Sequence, residues 1–372
     1  MYKTISVKIK NPDSYFNKIF LEAKYLYNHI LSQEDVFSYD TKKRDIFVKK
    51  EEIEPYTISY LSSQMVQGIY QRICDNIKGL SVRKKKSKVG RLKFISKLNS
   101  VPLKNQTLKI KESRMIFQKH KKSYRFSGRK QIPENGLLKS ALILRKPSGI
   151  YVNLIYKIEP NYSFKSIVKK VIGLDMGIKE ALTFNDGTKL SYVSDLSSIK
   201  TAHKNLSRKV KGSKNYYKQK IILEKAYERE DNKKKDVVNK IINKLNNYKI
   251  CFQDEMISNW HKGLFGKQVQ HSILGRLKSA LKQNPDNLIL NRTEKTTKLC
   301  TNCGTINNIG LGDRIYSCEC GYTKDRDAHS ANNMIVMSGL EQASVEIELD
   351  LYSILKTIQS KHLSLKQEAN VL

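Results

Sequence analysis

Two sets of residues in this 372-residue chain have types and spacings that could do chemistry. The first is Cys300, Cys303, Cys318 and Cys320, which read C-x2-C, fourteen intervening residues, then C-x-C. Four thiolates in two close pairs across a loop match a tetrahedral, all-cysteine zinc site. Gly304 and Gly321 each follow the second cysteine of a pair, where glycine permits the tight turn that aims backbone amides at sulfur. The alternative is two disulfides, which do not persist in a reducing compartment. A closed site of this kind builds structure and leaves no open position for catalysis. The second set is acidic. Asp175, Glu255 and Asp327 come from three separate segments, the first two at predicted strand ends and the third at a helix start. Brought together, they would form an oxygen-rich site for Mg2+ or Mn2+. Two such ions about 4 Å apart can activate a water and stabilise the leaving oxygen of a phosphodiester. Asp175 is the natural bridging ligand, with Glu255 and Asp327 each binding one ion. Strongly positive surroundings are expected to keep all three ionised. Spacing alone leaves their convergence open, because an Asp in a turn is ordinary and Asp327 has an alternative reading as a helix N-cap.

Composition supplies the partner. Lys+Arg number 69 against 35 Asp+Glu, a net charge of +34. Such an excess repels itself unless a polyanion neutralises it. Nucleic acid is the expected polyanion, since phosphate neutralisation with counterion release supplies most of its binding energy. An anionic membrane is disfavoured: no apolar run reaches spanning length and no N-terminal secretory pattern appears. A cytoplasmic, nucleic-acid-binding protein is expected, long enough for two or three domains. Cys74 and Cys251 sit in apolar surroundings and read as core residues.

The elements that must position these residues follow from periodicity. Residues 2–10 alternate and predict a strand. Phe16 to Ile30 and Met65 to Ile77 predict two helices, within a helical insert of about 70 residues. Basic runs at 83–93 and 119–130 suggest nucleic-acid contact, and in the second run Tyr124 and Phe126 are candidates for base stacking. Strands are expected at 106–111, 114–118, 140–145 and 150–158, the last two joined by a turn at Lys146-Pro147-Ser148-Gly149. With strand 2–10 they would form a small antiparallel barrel from which the helical insert hangs as a separate lobe. Glu159-Pro160 onward reads as a linker to a new domain near 168. There, 170–175 predicts a buried strand ending in Asp175, and Asn185-Asp186-Gly187 predicts a hairpin turn. Ribonuclease-H-like folds begin this way. Residues 201–247 predict long helices with an apolar stripe through Leu206, Val210, Tyr217, Ile221, Val238, Ile241 and Leu245, and Ser213 is a candidate cap. Tyr248–Glu255 predicts a strand, Leu274 to Leu281 a helix and Leu288–Leu290 a strand. Val345 to Leu351 alternates with acids and suggests a further strand of no assigned role.

GLDMGIK, FQDE, the CTNCG…CECG pair and DRDAHSANNM, in that order, together with HKNLSRKVKGSKNYYKQK, resemble the TnpB proteins of insertion sequences, relatives of the type V CRISPR effectors. The resemblance spans nearly the whole chain. It implies a wedge β-barrel (1–10 and 83–165) with an inserted helical recognition lobe (11–82). It also implies an α/β, RuvC-like, ribonuclease-H-like nuclease domain (166–292 and 322–372) split by a zinc-binding target-nucleic-acid module (293–321). The implied activity is RNA-guided cleavage of double-stranded DNA beside a short transposon-associated motif. A transposon-encoded guide RNA would read the sequence while the protein reads backbone shape and the motif. By motif, Asp175 is the first acid and Asp327 the third. For the second, many relatives carry Glu-Asp-Leu where this chain has Gln253-Asp254-Glu255. Glu255 is the choice, two residues on and hence on the same strand face, with Asp254 in reserve. His329 stands where relatives carry Asn. Competing readings are a nuclease-dead RNA-guided repressor, a compact type V effector and a zinc-ribbon binder without chemistry. A monomeric, nucleoid-associated protein of bacterial or phage origin is expected.

Overall fold

A computed structural model of the chain describes all residues except 1, 50–51, 86–88, 105–106, 118, 160–168, 311, 341–354, 359–361 and 368–372. The chain splits into two compact units, Met1–Phe164 and Lys165–Leu372. Most of the expected linker after Glu159, and the expected strand at 345–351, lie outside the described residues. Among the described residues, no helix is long and apolar enough to cross a membrane.

The first unit opens with β1 (Tyr2–Ile9), whose Ile5, Val7 and Ile9 are buried while the residues between them face out. Asp13 then caps α1 (Ser14–Leu31) by accepting from the Tyr15 amide. A hairpin of β2 (Asp45–Lys49) and β3 (Ile53–Thr57) follows, and Ser62 caps α2 (Ser63–Lys84). Then come β4 (Ser100–Lys104), β5 (Leu108–Lys111), β6 (Arg114–Phe117), β7 (Ser123–Ser127), β8 (Leu137–Lys146) and β9 (Gly149–Lys157). They assemble with β1 into a seven-stranded antiparallel sheet in the order β4-β8-β9-β1-β7-β6-β5. Lys146 pairs with Gly149 across the predicted turn, and Gly149 takes φ +137°.

Two expectations about this unit change. Phe16, Ile19 and Phe20 of α1, Met65 and Ile69 of α2, and Val7, Val101 and Val152 of the sheet share one hydrophobic core. The helices therefore lie on the sheet and do not hang from it as a separate lobe. Gly68 of α2 comes so close to β4 that an added Cβ would stand 2.7 Å from Pro102. Tyr124 and Phe126, considered for base stacking, are only 3% and 4% exposed. The alternation of β7 turns both rings into the core and leaves Arg125 between them facing out.

The second unit begins with β10 (Lys170–Asp175), β11 (Leu182–Phe184) and β12 (Thr188–Tyr192), an antiparallel meander. Helices α3 (Ser197–Ser207) and α4 (Lys214–Leu245) follow, and the Ser213 hydroxyl caps α4 through the Tyr216 amide. Next are β13 (Tyr248–Gln253), the short helices α5 (Ile257–Trp260) and α6 (Gly266–His271), α7 (Leu274–Gln283) and β14 (Leu288–Leu290). The chain then runs through the cysteine segment to the hairpin of β15 (Ile315–Ser317) and β16 (Thr323–Asp325), passes directly into α8 (Arg326–Met337), and later adds β17 (Leu363–Gln367). The main sheet runs β14-β13-β10-β11-β12-β17, with β13 and β14 parallel to β10. An antiparallel meander whose first strand pairs in parallel with later strands is a ribonuclease-H-like arrangement. The apolar stripe predicted along α4 holds only in its second half. Val238, Ile241 and Leu245 are buried, whereas Tyr217 and Ile221, and Val210 ahead of the helix, are exposed.

Candidate active site and cysteine module

The acid cluster is assembled by one close approach. In β10, Ile172 and Leu174 are fully buried, and Val171, Gly173 and Asp175 alternate onto the opposite face. Helix α8 lies on that face. A Cβ added to Gly173 would stand 1.7 Å from the carbonyl oxygen of Ala331, so only glycine admits the helix here. This contact brings Asp327, in the first turn of α8, to the end of β10 where Asp175 sits. On the other side β13 runs parallel, with Leu174 opposite Phe252. Glu255 lies just past its end.

Burial pushes the Asp175 carboxyl up to about 8, and the negative charges of Asp327 and Glu255 push in the same direction. The Met176 amide and Arg326 pull it down only in part. Glu255 is also raised, first by burial. Without a cation, burial and the two nearby carboxylates work against the expected ionisation of Asp175. Distant lysines act through water, whereas burial and two nearby carboxylates act locally. A divalent cation would resolve this crowding, and a set of carboxylate oxygens suits Mg2+ or Mn2+.

The strand ends at Gln253, so Glu255 does not continue it as the two-residue spacing suggested. Its amide instead donates to the Gln253 carbonyl at 2.9 Å, a tight turn that still carries the side chain to the Asp175 side. Asp254 is committed elsewhere. It pairs with Lys278 at 2.6 Å and Lys282 at 2.7 Å, both on α7, and these hold its carboxyl below the usual range. Of the two, Glu255 is the one whose charge bears on Asp175. Nor is Asp327 the helix cap. Asp325 accepts from the amides of Asp327 and Ala328 and is itself paired with the buried Lys189 at 2.8 Å. Arg326 donates to one oxygen of Asp327 through Nε at 3.2 Å and Nη2 at 3.0 Å. The sequence reading missed Gly173, Asp325, Arg326 and Lys189. A lone glycine inside an apolar strand was the available signal for the first.

The four cysteine sulfurs lie within 4.8 Å of one another. Cys300 and Cys320 are 3.7 Å apart, and Cys303 and Cys318 are 3.5 Å apart. Sulfurs bound about 2.3 Å from a common tetrahedral centre stand roughly 3.8 Å apart, whereas a disulfide requires about 2.05 Å. The set can hold zinc. Each half is a tight turn. Gly304 (φ +75°) donates to the Cys300 carbonyl, and Gly321 (φ +89°) donates to that of Cys318. Thr305, bonded to the Cys303 sulfur, holds that thiol down at about 6. His329 does not face the acids. It is fully buried, stacks on Tyr316 of β15 with ring centroids 3.7 Å apart, and its Nε2 meets the Leu299 carbonyl at 2.8 Å. Burial lowers its pKa to about 4. It therefore serves as a neutral joint between α8 and the cysteine module.

Residues 154–253 match the family described as "Probable transposase" (OrfB of IS605), and residues 275–334 match the TNB domain of Cas12f1-like proteins. These two matches, with the relatives below, support a likeness to the TnpB proteins. The chain is 26% identical over 177 residues to a protein of Streptomyces pristinaespiralis named "Putative RNA-guided DNA endonuclease", covering 44% of each chain. It is 26% identical over 211 residues to a TnpB-like protein of Acanthamoeba polyphaga mimivirus, covering 50% of this chain and 40% of that one. The matches thus span under half the length of these relatives. A CRISPR-Cas12f ternary complex solved by cryo-EM overlaps 73% of this chain and 70% of its own, at 17% identity and a TM-score of 0.28.

Proposed function

We propose that this protein is an RNA-guided DNA endonuclease of a transposable element, cutting guide-matched double-stranded DNA by two-metal hydrolysis. The observation that carries the reading is the close approach of α8 to β10 at Gly173, which sets Asp327 beside the strand end that carries Asp175, with Glu255 just past the parallel β13. A fold does not keep such crowding without a use for it. Asp175, Glu255 and Asp327 would hold Mg2+ or Mn2+, which when bound supplies water activation and stabilisation of the leaving oxygen. Asp175, on whose carboxyl both other acids bear, would be the central ligand of such a site. Arg326 donates to one oxygen of Asp327 and fixes its orientation. Cys300, Cys303, Cys318 and Cys320 would hold a structural zinc in the target-nucleic-acid module at 293–321. Residues 1–10 and 83–165 would act as the wedge and 11–82 as the recognition element, with the net charge of +34 serving guide RNA and target DNA. The protein would act as a monomer in the cytoplasm.

The test is co-expression with the RNA encoded beside the gene, followed by incubation with Mg2+ and a plasmid library carrying a guide match beside randomised flanking bases. Wild type is compared with Asp175→Ala, Glu255→Ala and Asp254→Ala. Cleavage at one flanking motif by wild type and Asp254→Ala alone is the expected result. Guided binding without cleavage by wild type would leave a repressor in place of a nuclease. Cleavage by Glu255→Ala but not Asp254→Ala would move the second acid to Asp254.

A further inference from the structure

The end of β13 and the entrance to the cysteine module are tied together by one buried side chain. Gln253 is 5% exposed. Its Nε2 donates to the carbonyls of Asn291 at 2.9 Å and Glu294 at 2.8 Å. Its Oε1 accepts from the Thr296 hydroxyl at 3.2 Å. Two carbonyl acceptors on one side and a hydroxyl donor on the other fix which end of the amide is nitrogen. They also fix the residue type. A carboxylate of the same length would present oxygen to both carbonyls and lose both donated bonds.

The network continues from there to α8. Ser330 donates to the Thr296 hydroxyl at 3.1 Å. Asn333 donates to the carbonyl of Thr296 at 2.6 Å and to that of Leu299 at 2.7 Å, beside the His329 contact. Leu299 immediately precedes Cys300, and His329 is two residues from Asp327. Segment 291–299 is thus clamped between the strand end that leads to Glu255 and the helix that carries Asp327. Three of its clamping side chains, Gln253, Ser330 and Asn333, are buried, as is Thr296 itself.

We infer that Gln253 is a positioning residue that couples the cysteine module to the acid cluster, so that closing the module sets the turn bearing Glu255. This rests on the acid cluster being a metal site. Gln253 touches no reacting atom in this scheme and acts through the backbone of 254–255 and of 291–296. Zinc held at Cys300 keeps Leu299 and Thr296 in register, and Thr296 keeps Gln253 in place.

The test uses full-length, zinc-loaded protein as wild type, Gln253→Glu and the shape-preserving Gln253→Met, with Thr296→Val as a milder probe that removes only the hydroxyl contact. Three quantities are read: zinc transfer to a competing chromogenic chelator, amide hydrogen exchange at 254–257 and 291–300, and Mn2+ affinity by calorimetry. Both Gln253 variants are expected to speed zinc transfer, raise exchange in both segments, and weaken Mn2+ binding on the order of 10-fold. Exchange in β11 and β12 stays at the wild-type level, which shows that the sheet is folded. Thr296→Val shows the same changes at smaller size. Mn2+ binding by Gln253→Glu as tight as or tighter than wild type would overturn the proposal, because the position would then be a ligand site. Loosening confined to one of the two segments would also overturn it. If wild type binds no Mn2+ at a site sensitive to Asp175→Asn, the metal-site reading fails by itself. Zinc transfer and exchange then still decide whether Gln253 couples the two segments.

Discussion

Glu22 in the first unit and Asp175 in the second are both carboxylates set into packed surroundings, and the fold treats them in opposite ways. Glu22 on α1 is fully buried and accepts five hydrogen bonds. The Ser59 amide (2.9 Å), Ser59 hydroxyl (3.2 Å) and Tyr56 hydroxyl (3.2 Å) meet one oxygen, and the amides of Tyr60 (2.8 Å) and Leu61 (2.9 Å) meet the other. It pins the chain between β3 and α2. Asp175 is raised first by burial and then by two neighbouring acids, with only the Met176 amide and Arg326 opposing them. A satisfied buried carboxylate is a structural fastening. A crowded one is a place where the protein has left out the compensating charge, which a ligand must bring.

Replacing each acid by its amide separates the two roles. Asp175→Asn removes the central ligand and is expected to reduce guided cleavage by roughly 10³-fold or more. In Mg2+-free buffer the same change relieves crowding, so stability rises by an amount on the order of 2 kcal/mol and the thermal midpoint rises with it. The stabilisation that wild type gains from added Mg2+ disappears. Cleavage assays and paired melts with and without Mg2+ check all three. A fall in the midpoint in Mg2+-free buffer would mean that Asp175 is a structural acid like Glu22.

Gly173→Ala tests the geometry that creates the crowding, because the new methyl overlaps the Ala331 carbonyl. Helix α8 must move, and Asp327 moves with it. Cleavage is expected to fall about 100-fold, with a loss of about 3 kcal/mol in stability. The arginine and acids stay chemically intact, so near-normal activity would show that cluster spacing is not critical.

Legibility in the sequence follows the same division. Cysteine spacing is local, and sulfurs that must share one tetrahedral centre advertise themselves within a few residues. Asp175 was visible because an apolar strand rarely ends in an acid followed by glycine. Glu255 was chosen through two-residue periodicity, but the strand stops at Gln253 and a tight turn carries the chain to it. Contacts between segments left weaker traces. Nothing near Asp325 distinguishes it from Asp327 as the cap until Lys189 is seen beside it. Tyr124 and Phe126 were misread because the charge of their neighbours was weighed above their alternation. The β2–β3 hairpin was missed because Pro55 and the charged sequence before Ile53 mask it, although proline is compatible with a two-stranded pair. The five residues of β17 were overlooked although Leu363 and Leu365 alternate, because their partner strand β12 lies far back in the chain.

Glu22→Gln is the counterpart test in the first unit. The amide nitrogen would confront backbone amides and leave buried donors unpaired, at a cost of about 3 kcal/mol. Cleavage per folded molecule should stay within about twofold of wild type, since a surplus of buried donors affects folding and not the acid cluster. Chemical denaturation together with active-site titration separates the two quantities. A neutral result would remove the contrast between the two acids.

The smallest effect is expected at Asp13, a second satisfied acid but one nearer the surface. Burial tends to raise its carboxyl, but bonds from Lys122, Tyr124, His120 and the Tyr15 amide outweigh this and leave it well below the usual carboxylate range. Lys122 lies at 2.8 Å and His120 at 3.2 Å, and the His120 ring stacks on Tyr15 with centroids 3.9 Å apart. A carboxyl lowered by folding adds stability above its unfolded pKa of about 3.9, and that stability is lost as the pH falls from there toward the folded value. Asp13→Asn keeps a capping oxygen for α1 and removes only the charge. Because the site is partly solvent-screened, the expected loss is about 1 kcal/mol at pH 7, shrinking steadily as the pH falls below about 4. The difference between wild-type and variant denaturation midpoints across that range checks it. A difference that does not change with pH would assign the loss to the helix cap, because only the ionised carboxylate pairs with Lys122 and His120.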